Sequence, residues 1–339
     1  MKSLDNVLWN ILDLMRGYIS PSDMTKLIAV TAYVLKEDSE AEEKLVFEGI
    51  EGLLNRYDKI VRQSKKEFLI SLIQPLERTV KEIPQEKFRL IVEELLPCKA
   101  ENFYSDLIIR LFGSVGGKFS GEDVSPKFIN DLMVSLADIS PNDTILDPTV
   151  GLGGTLLSVL RRNSNQKCYG QEINTETAAL AQIVIELANG KNAEIECGDV
   201  LTNPKYVQNE ELIKFDKVLT IPPFGIRTDN KKLYHDKFNR FPFGEISKSQ
   251  TDWAFISNAI TSSKLNGGKA IIVVPDGALF RKNGEKIRER ILHADLFEAI
   301  ISLPGGLFQY TTIPTNILIF NRSKTEKRKN KIQFINISE

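Results

Sequence analysis

Cysteine and histidine are scarce in this sequence, whose 339 residues include three cysteines and two histidines. The cysteines share no CxxC spacing, so the sequence predicts no zinc site and no other metal centre. Three cysteines are also too few for a disulfide framework, which favours a reducing compartment, the cytoplasm. No stretch of 18 apolar residues occurs, and acidic residues interrupt the apolar amino-terminal stretch. We therefore expect neither a membrane span nor a signal peptide.

An excess of positive charge is absent too, because the chain has 44 lysines and arginines and 45 aspartates and glutamates, which gives a formal net charge of −1. Any contact with nucleic acid would therefore need a local basic face. Hydrophobic residues make up 42% of the chain and charged residues 26%, which excludes a largely disordered chain and a coiled-coil or collagen-like rod. The length is sufficient for two domains.

The first hundred residues are predicted to be helical. Apolar residues recur at helical spacing from residue 7 to residue 15. Ser20 followed by Pro21 has the form of a helix N-cap with proline at the first helical position. Signals for strands stay weak throughout this part of the chain. We therefore predict a helical amino-terminal domain, residues 1–105, followed by a second domain, residues 106–339.

Short apolar runs alternate with helical patterns in the second domain. Strands are predicted at residues 144–146, 167–170, 193–197, 217–220, 268–274, 299–303, 316–320 and 331–337, with helices over 156–161, 175–188, 253–265 and 287–294. This alternation predicts an α/β fold with a doubly wound, mostly parallel sheet that binds ligands at the carboxyl ends of its strands. The last two strands are expected to pair with each other. The basic segment 321–331 between them is favoured as a solvated hairpin loop, with a phosphate contact as the alternative.

The first candidate site follows the first strand, where Asp147 leads into the sequence PTVGLGGT. Gly151, Gly153 and Gly154 permit a tight turn and a close approach of the backbone to a ligand. The helix that follows offers unpaired N–H groups to an anion. The spacing departs from the GxGxxG dinucleotide fingerprint, because residue 156 is leucine. The glycines by themselves are therefore weak evidence for a site.

Polar and rigid residues follow the next three strands. Glu172, 25 residues after Asp147, can accept both hydroxyls of an adenosine ribose, and this spacing favours a ligand contact over a solvated loop acid. Asp199 can accept from an adenine amino group or can cap a turn, and both interpretations stay open. Pro222 and Pro223 stop the fourth strand and fix the direction of their carbonyl groups. After three such strand ends, this favours an active-site loop over a plain turn.

Several longer motifs carry a family resemblance. They are GQEIN at 170–174, GDVL at 198–201, PPFG at 222–225, DWAF at 252–255, AIIVVPDGALF at 270–280 and ISLPGGLFQYTTIPTNILIFN at 301–321. In this order they resemble the methylation (modification) subunit of type I restriction–modification systems, in the N6-adenine DNA methyltransferase family. The resemblance extends from LWNILDLMRG at 8–17 to KIQFINIS at 331–338. It implies a Rossmann-like methyltransferase sheet after a helical domain.

The family implies S-adenosylmethionine as methyl donor, bound by the second domain. By position, the donor site would comprise Ser125, Pro126, Asp147, Gly151, Gly153, Gly154, Glu172 and Asp199. In it, Asp147 and the glycines would line the methionine part, Glu172 would hold the ribose, and Asp199 the adenine amine. Ser125 and Pro126 occupy the place of the family's Phe-Thr-Pro motif. The family further implies double-stranded DNA as substrate and a DNA-sequence-recognising specificity subunit as partner.

The catalytic loop departs from the family at one position. The family's Asn-Pro-Pro-Phe loop corresponds to Ile221, Pro222, Pro223 and Phe224. In the family, the asparagine oxygen and the next backbone carbonyl accept from the N6 amine of the target adenine, and the aromatic ring stacks on the flipped base. Isoleucine has no acceptor, and the loss of one preorganised contact costs on the order of 10² to 10³ in rate. We therefore expect little or no methyl transfer.

Two hypotheses follow for the whole chain. The first is an adenine-N6 DNA methyltransferase that works with a specificity subunit. The second is a catalytically silent methyltransferase fold that binds DNA or a partner. Three departures from the family favour it: Ile221, Val124 in place of the aromatic residue of the Phe-Thr-Pro motif, and Leu152 where the family usually has Ser or Thr. The family continues beyond the point where this sequence stops, so the chain is expected to be a fragment or to assemble differently.

The basic residues between 281 and 290 are either phosphate contacts or, as favoured, a solvated helix face.

Overall fold

The structure is a computed structural model that describes residues 3–64, 66–79, 82–98, 102–115, 124–227, 229, 231, 233, 235–247, 251–308 and 311–337. Its α-helices are α1 (Leu4–Met15), α2 (Pro21–Glu37), α3 (Ala41–Ser64), α4 (Ile73–Thr79), α5 (Gln85–Leu95), α6 (Phe103–Val115), α7 (Lys127–Ala137), α8 (Gly154–Leu160), α9 (Thr175–Leu187), α10 (Thr251–Ser262), α11 (Gly277–Phe280) and α12 (Glu285–His293). Short 3-10 helices cover Glu67–Leu72 and Lys282–Gly284. The strands are β1 (Thr144–Asp147), β2 (Lys167–Glu172), β3 (Ala193–Cys197), β4 (Val207–Gln208), β5 (Glu211–Leu212), β6 (Lys217–Thr220), β7 (Lys269–Pro275), β8 (Phe297–Leu303), β9 (Thr315–Asn321) and β10 (Gln333–Asn336).

Packing divides the chain into two compact units. The first contains Met1–Val124, Gly151–Gly153 and Asn174–Lys191, and the second contains Ser125–Val150, Gly154–Ile173 and Asn192–Glu339. By packing, α9 therefore belongs with the amino-terminal helices, although it lies between two strands of the second unit in sequence. The bounds 1–105 and 106–339 for two domains stay a prediction.

Helices build the first unit, as the apolar spacing predicted. Ser20 caps α2, since its Oγ accepts from the backbone N–H of Asp23 at 3.1 Å, and Pro21 occupies the first helical position. The apolar residues of α1 that recur at helical spacing form its buried face: Val7, Leu8, Ile11 and Met15. The local capping and periodic signals of the sequence therefore correspond to the helices observed.

Ionic and polar contacts tie α9 to α2 within the first unit. The ammonium of Lys26 lies 2.7 Å from Glu176 in the first turn of α9, and only 7% of Lys26 is exposed. The hydroxyl of Tyr33 donates to Glu186 at 2.5 Å. Lys36 donates to the backbone carbonyl of Glu186 at 2.5 Å, which satisfies a carbonyl in the last turn of α9. Both ends of α9 are thus held by side chains of α2.

A mostly parallel sheet forms the centre of the second unit. Among the described residues, eight strands pair in the order β10-β8-β9-β7-β6-β1-β2-β3. All pairs are parallel except the two that involve β9. Helices α7 and α10 contact β6 and β7, and α8 contacts β1. The predicted α/β class with a doubly wound, mostly parallel sheet is confirmed.

The end of the sheet corrects one expectation. β9 and β10 do not pair with each other, because β9 inserts antiparallel between β7 and β8, while β10 runs parallel to β8 on its other side. The basic segment between them therefore connects two strands that are not neighbours in the sheet, and it is not a hairpin loop. Two of its cations pair with acidic residues outside the segment, Lys324 with Asp295 at 2.6 Å and Arg328 with Glu298. These two cations are therefore held by contacts within the fold.

Candidate active site

Four parallel strands bring the predicted site residues to one edge of the sheet. β6, β1, β2 and β3 are consecutive neighbours in the sheet, and all run in the same direction. Their carboxyl ends lead into Ile221, Asp147, Glu172 and Asp199, respectively. The carboxyl edge of such a sheet is where ligands bind. Ten of the twelve predicted residues belong to the second unit, while Gly151 and Gly153 belong to the first.

Asp147 is buried, with 2% of its surface exposed. The backbone N–H of Thr149 donates to its Oδ1 at 3.1 Å. Burial raises the pKa of Asp147 to about 7, and the charge of Glu172 adds to the rise, whereas hydrogen bonds with Thr149, Thr155 and Thr220 oppose it. The carboxyl therefore titrates near neutral pH, which the sequence did not indicate.

Ser125 lies beside the first residue of α8, Gly154. Pro126 occupies the N-cap position of α7. A Cβ added at Gly154 would lie 3.1 Å from Oγ of Ser125 and 2.8 Å from Nδ2 of Asn130. Glycine is therefore required at residue 154 by this close approach, and the contact places the predicted donor-motif segment beside the start of α8.

The two glycines of the first unit adopt left-handed backbone conformations. Gly151 has φ +53° and Gly153 has φ +86°. A Cβ added at Gly151 would meet no atom within 4 Å, so the space beside its backbone is open. Leu152 between them is buried, with 6% of its surface exposed, and so presents little of its bulk to solvent.

The ends of β2 and β3 hold two half-buried carboxylates. Glu172 ends β2 opposite Cys197, and the N–H of Gly198 donates to the backbone carbonyl of Glu172 at 2.8 Å. Asp199 follows one residue later. This pairing places both acidic residues at neighbouring positions along the same edge.

Asp199 closes a turn as well as ending a strand. Its Oδ1 accepts from the N–H of Leu201 at 2.9 Å, and its Oδ2 accepts from the hydroxyl of Thr202 at 2.6 Å. The turn-capping role that the sequence left open is therefore present. Each carboxylate oxygen has two lone pairs, so these bonds leave acceptor capacity at this half-buried group.

Gln171 is a residue of this site that sequence reasoning missed. Its side chain is buried, and Nε2 donates to the carbonyls of Gly198 and Asn203 at 2.9 and 3.0 Å. Its Oε1 accepts from the N–H of Lys205 at 3.1 Å. The amide thus holds the turn that carries Asp199. Its place in the motif GQEIN, directly before Glu172, was the signal available in the sequence.

The loop after β6 carries the predicted catalytic residues. Ile221 and Phe224 are half-buried, Pro222 is buried and Pro223 is exposed. The ring of Phe224 meets that of Phe308 edge-on, with centroids 5.3 Å apart and planes at 82°. Ile221 directly follows the carboxyl end of β6, and its side chain has no polar atom.

A polar network at the next strand ends was also missed. Nδ2 of Asn316 donates to Oδ1 of Asp276 at 3.0 Å, and the hydroxyl of Ser302 donates to Oδ1 of Asn316 at 2.8 Å. These residues lie at the same edge, at the ends of β7, β8 and β9. Asp276 lies in the motif VPDG, Ser302 in ISLPGG and Asn316 in PTN, so the signal in the sequence was their place in motifs at the ends of predicted strands.

Neither a metal cluster nor a membrane helix is found in the described part of the chain. No group of three or more His, Cys, Asp or Glu residues there is arranged to hold a metal ion. No helix there combines the length and the apolar character that crossing a bilayer demands.

Several curated proteins are similar to this chain in sequence. The methylase subunit of the type I restriction enzyme MjaVIII from Methanocaldococcus jannaschii is 32% identical over 318 residues, which cover 85% of this chain and 53% of that protein. The MjaVII methylase subunit from the same organism is 34% identical over 233 residues, 64% of this chain and 39% of that protein. The chain thus spans about half the length of the curated relatives it matches.

The fold has counterparts among solved structures. The methyltransferase subunit of a type I restriction–modification system from Streptococcus thermophilus superposes with a TM-score of 0.76 at 24% identity, covering 99% of this chain and 87% of that one. At this identity the likeness shows the fold alone. A family model for N-6 DNA methylases matches residues 102–339. Because this match spans well over half of the sequence, the chain belongs to the N-6 DNA methylase family.

Proposed function

We propose that this chain is the methyltransferase part of the modification subunit of a type I restriction–modification system, which uses S-adenosylmethionine to methylate adenine N6 in DNA. The observation that carries the proposal is the convergence of Glu172, Asp199 and the Ile221–Phe224 loop at one edge of the sheet. The family match and the methylase relatives support it. We place the protein in the cytoplasm, working on double-stranded DNA with a specificity subunit.

The residues at the edge fit an adenosine-containing donor. Two half-buried carboxylates at neighbouring strand ends offer acceptors for ribose hydroxyls, at Glu172, and for an adenine amine, at Asp199. Within the second unit, the hydroxyl of Ser125 beside Gly154 adds a polar group near the start of α8. When bound, S-adenosylmethionine supplies a methyl group activated by its sulfonium sulfur. Ser125, Pro126, Asp147 and Gly154 complete the proposed donor site within the second unit.

The loop after β6 would receive the target base. Pro222 and Pro223 restrict the backbone, so the carbonyl of Pro222 is held as an acceptor for the N6 amine. Phe224, braced by Phe308, would stack on a base flipped out of the duplex. Ile221 supplies no second acceptor, so the amine is positioned by one bond in place of two. The expected consequence is a rate lower by on the order of 10² to 10³ than with an acceptor at this position.

Exposed cations near this edge would contact DNA phosphates. Arg281, Lys282 and Lys286 are exposed. Arg288 serves the fold, because it lies 5.9 Å above the ring of Trp253 and donates to the backbone carbonyl of Arg281 at 2.9 Å. The proposed phosphate contacts are therefore the first three residues, and affinity for DNA should fall as salt rises.

Binding of the donor is tested by titration calorimetry with S-adenosylmethionine. We expect saturable binding to one site per chain, and binding weaker by at least about tenfold in Glu172→Gln, which loses a charge-assisted hydrogen bond. Glu194→Gln, in the same sheet but within β3, is the matched control and should bind as wild type does. Absence of binding to the wild-type protein at millimolar donor contradicts the proposed donor site.

A second candidate function is a silent methyltransferase fold that binds DNA or a partner, which the apolar Ile221 favours. Radiolabelled methyl transfer to DNA, with the specificity subunit present, separates the two functions. We expect incorporation slightly above background in wild type, rising on the order of 10² to 10³ in Ile221→Asn. Ile221→Val keeps the apolar character and should stay at the wild-type level. No incorporation by wild type or Ile221→Asn, with the donor bound, supports the silent function.

A further inference from the structure

Arg240 is a charged side chain that the fold buries almost completely, with 2% of its surface exposed. It lies beyond the Ile221–Phe224 loop and outside the motifs that carry the family resemblance. Burying a guanidinium is costly unless its donors are paired. The partners of Arg240 therefore indicate what its burial accomplishes.

The guanidinium of Arg240 joins three parts of the second unit. Nε and Nη2 donate to Oδ1 of Asp236 at 2.9 and 2.7 Å. Nη2 also donates to the backbone carbonyl of Leu201 at 2.7 Å, and Nη1 donates to that of Val200. Nη1 donates as well to Oδ1 of Asn258 in α10, at 3.3 Å. One rigid fork thus links residue 236, α10 and the turn after β3.

The two backbone carbonyls belong to the turn that carries Asp199. The N–H of Leu201 and the hydroxyl of Thr202 orient the carboxylate of Asp199 from within that turn. Gln171 holds the turn from the side of β2, and Arg240 holds it from the side of α10. The direction in which Asp199 presents its oxygens therefore depends on Arg240.

We infer that Arg240 is a positioning residue for adenine recognition: it holds the Asp199 turn so that the carboxylate meets the 6-amino group of the adenosine ligand. The inference rests on the proposed function, in which Asp199 is the acceptor for that amine. A planar guanidinium presents five N–H donors in a fixed arrangement, whereas an ammonium presents three donors from a single atom. Lysine at residue 240 therefore keeps the charge but cannot reach both carbonyls and Asp236 together.

The test compares two ligands that differ at one group. S-adenosylhomocysteine carries the 6-amino group, and S-inosylhomocysteine carries a 6-oxo group that cannot donate to a carboxylate. We expect wild type to bind the amino ligand more tightly by about tenfold or more, the value of one charge-assisted hydrogen bond. In Arg240→Lys this ratio should fall close to 1, as in Asp199→Ala. A residue that only stabilised the fold would weaken both ligands equally and leave the ratio unchanged.

Arg322→Lys is the matched control, because Arg322 also donates to a backbone carbonyl, that of Ile260 at 2.9 Å, but holds no part of the Asp199 turn. It should keep the wild-type ratio. A folded Arg240→Lys protein with the wild-type ratio overturns the inference. A wild-type ratio of 1 overturns the role of Asp199 in the proposed function, and the inference with it.

Hydrogen exchange of the wild-type protein provides a test that does not depend on the variant folding. On addition of S-adenosylhomocysteine, amide protection should increase both in the Asp199 turn and at residues 236–240, since Arg240 joins them. Protection confined to the turn overturns the inference even if Arg240→Lys does not fold.

Discussion

Asp147 makes the stability of the protein depend on pH in the direction opposite to that of an ion-paired acid. Burial raises its pKa to about 7 in the folded state, whereas the unfolded chain has the ordinary value of about 3.9. Between about pH 4 and pH 7, Asp147 therefore keeps its proton in the folded state and loses it in the unfolded chain. This stabilisation is fully present below about pH 4 and is lost as the pH rises to about 7.

Asp147→Asn removes this titration and keeps a neutral polar group of nearly the same shape. The amide oxygen can still accept from the N–H of Thr149, 3.1 Å from Oδ1 in the wild type. The two pKa values differ by about 3, and each pH unit between them is worth about 1.4 kcal/mol, which sets an upper bound of about 4 kcal/mol. We expect the variant to match wild type near pH 4 and to exceed its free energy of unfolding by up to this amount at pH 8.

Urea unfolding followed by circular dichroism, at whole pH units from 2 to 8, measures the difference between the two proteins. Asp216→Asn is a control of opposite sign. Burial alone would raise the pKa of Asp216, but hydrogen bonds from Lys264 and Thr144 hold it below its usual value. That variant should be less stable than wild type at pH 8, and the gap should close as the pH falls below about 4. A difference for Asp147→Asn that is constant with pH, or that shrinks as pH rises, refutes the reasoning.

Three further changes have defined outcomes. Gly154→Ala places a methyl group 2.8 Å from Nδ2 of Asn130 and should lower the free energy of unfolding by about 1–3 kcal/mol, measured by urea titration; an unchanged midpoint contradicts the close packing. Phe224→Ala should weaken capture of a flipped base by about 1–3 kcal/mol, measured as a lower affinity for DNA that carries a mispaired adenine at the target position, and an unchanged affinity would exclude the stacking role. Lys26→Met leaves Glu176 without its cation, but that carboxylate is 42% exposed, so the loss should be about 1 kcal/mol; a stability equal to wild type shows that the pair contributes nothing.

Local pattern was sufficient for much of the fold. The buried face of α1 and the cap at Ser20 lie within a few residues of one another in sequence, so spacing reveals them. The same holds for the strands, and hence for the placement of Glu172 and Asp199 at strand ends. Ile221 is visible as a departure in the sequence itself, because the motifs on either side of it align with those of the family.

Contacts between residues that are distant in sequence could not be predicted from local hydrophobic spacing. The position of β9 between β7 and β8 depends on which backbones exchange hydrogen bonds, and periodicity does not specify a partner. The packing of α9 with the amino-terminal helices likewise depends on contacts between residues that are distant in sequence.

The sequence by itself therefore determined the class of fold, the family and the residue types at each strand end, because these are written in local spacing and motifs. Only the tertiary structure decided that Arg240 is buried against the Asp199 turn and that Asp147 titrates near pH 7. A sequence shows that a residue can carry a charge but not whether the fold buries it. The free energy of a charged group depends on the neighbours that the fold places around it.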